Sequence, residues 1–299
     1  MVLDGGLATE LEGRGADLRD PLWSARLLLE NPGLIREVHA DYYRAGADLA
    51  TAASYQTSVA GFVRRGVDRR EALSLIRTSV TLAREARDIF WTLPERPADR
   101  LWPLVAGSAG PYGAALADGS EYRGRYGVGR RTLQDFHLPR LEALLEAGAD
   151  LLAVETIPSP REAEAVLQLL PRWPDARVWV SFTCRDDAHL SEGQPVEDAA
   201  RVVRGHPQVV AVGVNCVSPA QVDGLLERLG PVTDLPLVVY PNSGEVWDAE
   251  RRTWIGSPAR FDPIRDPVRW QRLGARLIGG CCRTTPTTIR DIRRGLRTN

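Results

Sequence analysis

The feature that most constrains this chain is an alternation of two patterns. Eight short apolar runs, rich in β-branched residues, recur along it, and a longer stretch of helical character follows each one. The runs are MVLD (1–4), ADLATAAS (47–54), WPLVAGS (102–108), ADLLAVET (149–156), RVWVSFTC (177–184), VVAVGVNC (209–216), PLVVYPNS (236–243) and ARLIGGCC (275–282). Most are nearly continuous in apolar residues, which suits strands buried on both faces of a parallel sheet. NPGLIREVHADYYRAG (31–46) predicts a helix with Asn31 as its N-cap, Pro32 in its first turn and Gly46 past its end. Further helices are predicted over 70–90, 159–170, 218–229 and 285–296. The segments at 159 and 218 both open with Ser-Pro, a helix-start signal. Eight strand–helix units in order predict a single (β/α)8 barrel of the TIM type, filling residues 1–299 as one domain. A doubly wound open sheet is the alternative.

Two of the strand-to-helix connections are long. GPYGAALADGSEYRGRYGVGR (110–130) is rich in Gly and Tyr, and residues 244–266 carry Trp247 and Trp254. Long loops in compact domains often serve as lids or binding loops.

Composition removes several chemistries. All 38 residues counted as Lys or Arg are arginine. A Schiff-base aldolase or a pyridoxal-phosphate enzyme needs a lysine amine, and so does the common phosphate-binding loop. The net charge of -1 is spread in mixed sign along the chain, with no basic stripe for nucleic acid. No apolar run approaches the length of a membrane span. Asp4 interrupts the apolar start, so no secretory leader is expected and a cytoplasmic location is.

In such a barrel the active site forms at the C-terminal ends of the strands. Five predicted strands end in residues that core packing would not select: Asp4-Gly5-Gly6, Glu155-Thr156, Asn215-Cys216, Asn242-Ser243 and Gly279-Gly280-Cys281-Cys282. Adjacent strand residues point to opposite faces, so for both Cys281 and Cys282 to reach one point the chain must leave strand geometry. Gly279 and Gly280 are expected to allow this through dihedrals that other residues avoid. With Cys216 they would form a three-thiolate site suited to Zn²⁺, leaving a fourth position open. Cys184 reads as a buried small hydrophobe, with a role as fourth ligand the alternative. Disulfides are not expected in a cytosolic chain of this size. His39, His137, His189 and His206 are scattered and form no HExxH motif. They read as surface or helix residues.

The motifs LDGGLATELEGRG (3–15), DPLWSA (20–25), TAASYQTS (51–58), GSAGPYGAALADGSEYRG (107–124), ETIPSPREAEA (155–165), GVNC (213–216), YPNSGEVWD (240–248) and GGCCRTTP (279–286) run in order from end to end. In them the chain resembles the homocysteine S-methyltransferase family, over essentially its whole length. DPLWSA, ADGSEYRG and YPNSGE narrow the resemblance to the single-domain branch using S-methylmethionine or S-adenosylmethionine, away from the betaine-using and cobalamin-dependent branches. The resemblance implies a (β/α)8 barrel with zinc on Cys216, Cys281 and Cys282. It also implies that Asp4 and Glu155 hold the amino group of homocysteine, and that backbone amides of the loop Gly5, Gly6 to Thr9 take its carboxylate. Asn215, Asn242 and Ser243 are further candidates for the substrate, and Tyr112, Trp247 and Trp254 for the donor. The implied partners are small molecules, L-homocysteine and a methyl sulfonium, with neither nucleic acid nor membrane.

The chemistry suits the residues. A free thiol, with a pKa of about 8.5, is only a few per cent thiolate at neutral pH, and methyl transfer needs the thiolate. Coordination to zinc deprotonates it outright. Three thiolates give the zinc site a formal charge of about -1, and a bound homocysteine thiolate about -2, keeping electron density on sulfur. The product thioether is neutral, a poorer ligand that can leave. Aromatic faces can hold the cationic donor. The readings to set against this one are a selenohomocysteine or selenocysteine acceptor, a zinc hydrolase with Glu155 as base, and a zinc-stabilised binding protein without turnover.

Overall fold

The computed structural model describes residues 1–18, 23–248, 251 and 253–297. Asp20, Pro21 and Leu22 of the DPLWSA motif lie outside the described residues, as do Ala249, Glu250 and Arg252 of the second long connection.

Seven strands form one parallel sheet in sequential order. They are β2 (Leu49–Thr51), β3 (Leu104–Ala109), β4 (Leu151–Ile157), β5 (Val178–Phe182), β6 (Val209–Asn215), β7 (Leu237–Tyr240) and β8 (Ala275–Ile278). The eighth strand of the expected barrel, β1, is reduced to residues 2–3. Val2 bridges Ile278 and Leu3 bridges Leu49, both in parallel, so this short piece joins the two edges and closes the sheet. An open doubly wound sheet is thereby excluded. The predicted strand over 1–4 is shorter than expected because Asp4 turns its side chain to Thr51 and the chain bends at Gly5 and Gly6.

Asp48 locks this closure. Its main-chain nitrogen donates to the Val2 carbonyl at 2.7 Å, its carboxylate accepts from the Val2 amide at 2.8 Å, and Arg293 of the last helix donates to it at 2.6 Å.

The helices alternate with the strands. They are α1 (Pro32–Ala45), α2 (Arg69–Thr92), α3 (Arg130–Glu146), α4 (Pro160–Leu167), α5 (Glu197–Val203), α6 (Pro219–Leu229), α7 (Asp266–Arg272) and α8 (Pro286–Arg297). The signals at α1 act as anticipated: the Asn31 side chain accepts from the Leu34 amide, and Gly46 takes a φ of 119°, which favours glycine. Ser218 and Gln221 form a reciprocal capping box on α6. Among the described residues no helix is long and apolar enough to cross a membrane.

Two apolar layers follow from the period-2 geometry of the strands. Outward-facing Val and Leu side chains such as Leu152, Val154, Val178 and Val212 pack beneath the helices. Inward-facing Leu3, Leu49, Ala106, Leu151, Ala153, Trp179, Ala211, Val238 and Tyr240 fill the barrel. Fully burying each large apolar side chain contributes about 1.5–3 kcal/mol. Two residues further along several of these strands, the same inward face becomes polar: Thr51, Ser108, Glu155 and Ser181, with Cys281 just beyond the end of β8. The apolar plug therefore carries a polar layer at the C-terminal mouth.

Candidate active site

Three sulfurs meet at that mouth. The Sγ atoms of Cys216, Cys281 and Cys282 all lie within 4.8 Å of one another. Cys216 and Cys282 are 3.8 Å apart, and Cys281 and Cys282 4.0 Å. All four cysteines are free thiols, and Cys184 stays outside this group, buried, with its thiol pushed up by desolvation.

The chain does leave strand geometry here, but not at the glycines expected to permit it. Left-handed backbone occurs at Cys216 itself (φ 52°) and at Arg283 (φ 67°), not at Gly279 or Gly280. Those two are glycine for lack of room. A Cβ on Gly279 would stand 2.6 Å from the Leu3 Cβ, and one on Gly280 2.2 Å from the Thr284 Oγ1. The tight turn is held by the Thr284 hydroxyl, which donates to the Cys281 carbonyl at 2.6 Å, and by the Cys281 amide, which donates to Pro241 at 2.8 Å.

Hydrogen bonds from Cys281, then Cys282, hold the Cys216 thiol well below the usual range, and the Tyr122 hydroxyl, 3.3 Å from its sulfur, adds to this. Cys281 and Cys282 are pushed well up in return, chiefly by their bonds to Cys216. The arrangement could hold a metal ion.

Two carboxyl groups share the cavity with the thiols. Asp4, at the end of β1, accepts from the Thr51 amide at 2.8 Å and from the Thr51 hydroxyl at 3.0 Å. Glu155, on β4, accepts from the Ser108 hydroxyl and, at 3.0 Å, from the Tyr240 hydroxyl. Burial pushes Asp4 up to about 8 and Glu155 up to about 7, the hydrogen bonds only partly opposing it.

Asp4, Gly5, Gly6, Thr9, Thr51, Glu155 and the three cysteines line one cavity with Trp247 and Trp254. Gly5 and Gly6 fit because a Cβ on either would collide, with Tyr42 and Thr284 at the first and with Thr9 and the Cys281 carbonyl at the second. They lead into a short helix, Leu7–Gly13, whose N-cap Gly6 offers no side chain to the first-turn amides.

The second long connection is ordered into an antiparallel hairpin, Val246–Asp248 with Thr253–Ile255, which sets the Trp247 and Trp254 rings 5.5 Å apart at 57°. The first contains a helix, Tyr112–Leu116, and a 3-10 turn, Ser120–Tyr122.

Four sequence candidates are not brought to the cavity wall. Tyr112 packs on Tyr126 and Phe136 instead. Asn215 is fully buried: its Oδ1 accepts from the Thr156 amide and the Ser181 hydroxyl, and its Nδ2 donates to the Thr156 hydroxyl. It braces Thr156, a β-branched residue held at φ 60°. Asn242 binds the Gly244 amide and the Cys216 carbonyl, and Ser243 binds Glu245. These last two shape the loop beside the thiols.

Sequence reasoning missed Thr51, Ser108, Tyr240, Tyr122 and Tyr55, all of which line the cavity. The first three continue the inward-facing period of β2, β3 and β7, a signal the sequence does contain. Tyr122 and Tyr55 lie in turns, where no period points to them.

A closed parallel barrel with a thiol cluster and buried carboxyls at its C-terminal mouth defines a thiol-site barrel enzyme class. The sequence matches the family model described as homocysteine S-methyltransferase over residues 1–296. It is 55% identical to the homocysteine S-methyltransferase of Escherichia coli (strain K12) across 97% of this chain and 93% of that protein. It is 49% identical to homocysteine S-methyltransferase YbgG of Bacillus subtilis (strain 168), across 98% and 93%. The crystal structure of the homocysteine methyltransferase MmuM from Escherichia coli, metallated form, superposes with a TM-score of 0.86 at 52% identity, across 98% and 95% of the two chains. The chain belongs to the homocysteine S-methyltransferase family.

Proposed function

We propose that this protein transfers a methyl group from S-methylmethionine or S-adenosylmethionine to the thiolate of L-homocysteine, yielding methionine, with Zn²⁺ held by Cys216, Cys281 and Cys282. The observation that carries the reading is the spacing of the sulfurs. A tetrahedral site with Zn–S bonds of about 2.3 Å has edges of about 3.8 Å. The separations of 3.8 and 4.0 Å fit that edge. Three soft thiolates suit zinc and leave one position for a substrate thiol. When bound, the metal supplies a deprotonated, still nucleophilic homocysteine sulfur.

The remaining work belongs to the chain. Asp4 and Glu155, ionised, receive the ammonium of homocysteine, and Thr51, Ser108 and Tyr240 hold the two carboxylates in place. The first-turn amides beyond Gly6 suit its carboxylate. Trp247 and Trp254 offer ring faces to the sulfonium and close the cavity to water. Asn215, Asn242 and Ser243 support the site from behind rather than touch the substrate. A hydrolytic reading fits less well, because among the described residues no histidine lines the cavity and Glu155 is taken up by the homocysteine ammonium.

The test pairs zinc content with methionine formation on one reduced sample, given homocysteine and each donor in parallel, beside Cys281→Ser. About one zinc per chain, turnover with either donor and loss of both in the variant support the reading. A zinc-loaded chain that methylates homocysteine from neither donor sinks it.

A further inference from the structure

Two acceptors in the cavity wall have no donor. The Oε2 atom of Glu121 and the Oε1 atom of Gln56 are buried without a hydrogen bond among the described residues. Both residues line the cavity that the three thiols enter. Glu121 is 6% exposed. The other carboxyls there are satisfied, Asp4 by Thr51 and Glu155 by Ser108 and Tyr240. The two residues border one short helix, Tyr112–Leu116. The Gln56 amide nitrogen donates to the Ala114 carbonyl at 3.2 Å, and the Glu121 main-chain nitrogen is 2.5 Å from where a Cβ on Gly113 would stand.

An acceptor buried without a donor costs about 1–3 kcal/mol. Two such atoms in one ligand cavity are accounted for if the ligand itself brings N–H groups. Burial pushes the Glu121 carboxyl up to about 7, and a cation beside it would restore its ionised form.

We infer that Glu121, assisted by Gln56, receives the α-ammonium group of the methyl donor. The inference rests on the methyl-transfer reading above. The choice of ammonium over sulfonium follows from the reaction. A bond forms between the homocysteine sulfur and the methyl carbon while the donor's S–CH3 bond breaks, its electron pair staying on the donor sulfur. Thiolate and sulfonium become two neutral thioethers, and no proton moves. A carboxylate against the sulfonium would therefore stabilise the ground state more than the transition state and slow the transfer. The α-ammonium keeps its charge throughout, so a carboxylate there holds the donor without that penalty. The tryptophan faces, with their weaker attraction, are left to the sulfonium.

Two sulfoniums separate the groups: S-methylmethionine and its des-amino analogue, (3-carboxypropyl)dimethylsulfonium. At saturating homocysteine the wild type should prefer S-methylmethionine at least tenfold in kcat/KM. Glu121→Gln should cut kcat/KM for S-methylmethionine tenfold or more, through KM. It should leave the analogue, the homocysteine KM and the zinc content within twofold. Gln56→Leu should act in the same selective direction, by about threefold, and serves alone if the first variant does not fold. A preference for S-methylmethionine that survives these substitutions overturns the inference. Calorimetric titration of both sulfoniums into the zinc-loaded chain without homocysteine repeats the comparison without turnover. If the wild type binds with this preference and Glu121→Gln loses it, yet no methionine forms, the reaction assignment fails and the ammonium site stands.

Discussion

The phenolic oxygen of Tyr122 lies 3.3 Å from the sulfur of Cys216, although the two residues are 94 positions apart. It reaches the thiol cluster from the loop after β3 and, like Cys216, lines the cavity. A hydroxyl that donates to a ligating thiolate lowers its basicity and fixes its direction. Removing such an outer partner commonly costs 10–100-fold in metal affinity. Tyr122→Phe should therefore keep its fold but release zinc to a chelator at a roughly tenfold lower chelator concentration. Equal retention by both proteins would show the contact to be incidental.

The raised Glu155 carboxyl makes stability depend on pH. Its ordinary value of 4.5 becomes about 7 in the fold. Between these values the folded chain binds more protons than the unfolded one, so its stability falls as pH rises across that window and this contribution is lost above it. Denaturation of the metal-free chain from pH 5 to 8 should show that decline; Asp4 and Glu121, raised in the same way, add to it, so Glu155→Gln should lessen the slope by its own share. An unchanged slope would mean that the carboxyl is not raised. The same ionisation should lower the homocysteine KM as pH rises through about 7, since the ammonium needs the carboxylate.

Asn215 offers a separable test of support. Asn215→Ala leaves the Thr156 amide buried without an acceptor, a loss of about 1–3 kcal/mol in a denaturant melt. Thr156 also sits at φ 60°, where glycine rests without strain. Adding Thr156→Gly to the Asn215→Ala chain should recover part of the loss. A further loss in the double variant would rule out this account of the pair.

The hairpin tryptophans should act on the donor alone. Replacing Trp254 by Ala removes one ring face, worth about 0.5–2 kcal/mol, or about two- to thirtyfold in the donor KM. Trp254→Phe should restore most of it. A change confined to the homocysteine KM would assign the ring to the other substrate.

Much of this architecture was legible in the sequence. The eight strand positions and the α1 caps follow from periodicity and from residues with one conformational use, Asn31 and Gly46. The thiol cluster follows from two glycines and a cysteine pair at one strand end and Cys216 at another. The reason given for those glycines was wrong, because close approach of Leu3 and Thr284 cannot be read from a linear string. Tyr112 and Trp247 looked equivalent on paper, both being aromatic residues in long loops. Only the hairpin pairing on one side and the packing against Tyr126 and Phe136 on the other separate them. Asn215 sits at a strand end like its catalytic-looking neighbours, and its inward burial depends on which residues of β4 and β5 come to face it.

Closure of the sheet through residues 2–3 has a bearing on how the molecule is born. The carboxyl of Asp4 and the thiols of Cys281 and Cys282 come from opposite ends of the chain, and the Gly280 amide donates to the Asp4 carbonyl at 3.0 Å. In a chain made from its N-terminus, Cys216 emerges long before the other two sulfurs, and the first strand waits for both of its neighbours. Pairings this distant in sequence form slowly, because the entropy of closing the loop is lost before the contacts form. The catalytic mouth thus cannot assemble until the cysteines after β8 have been made.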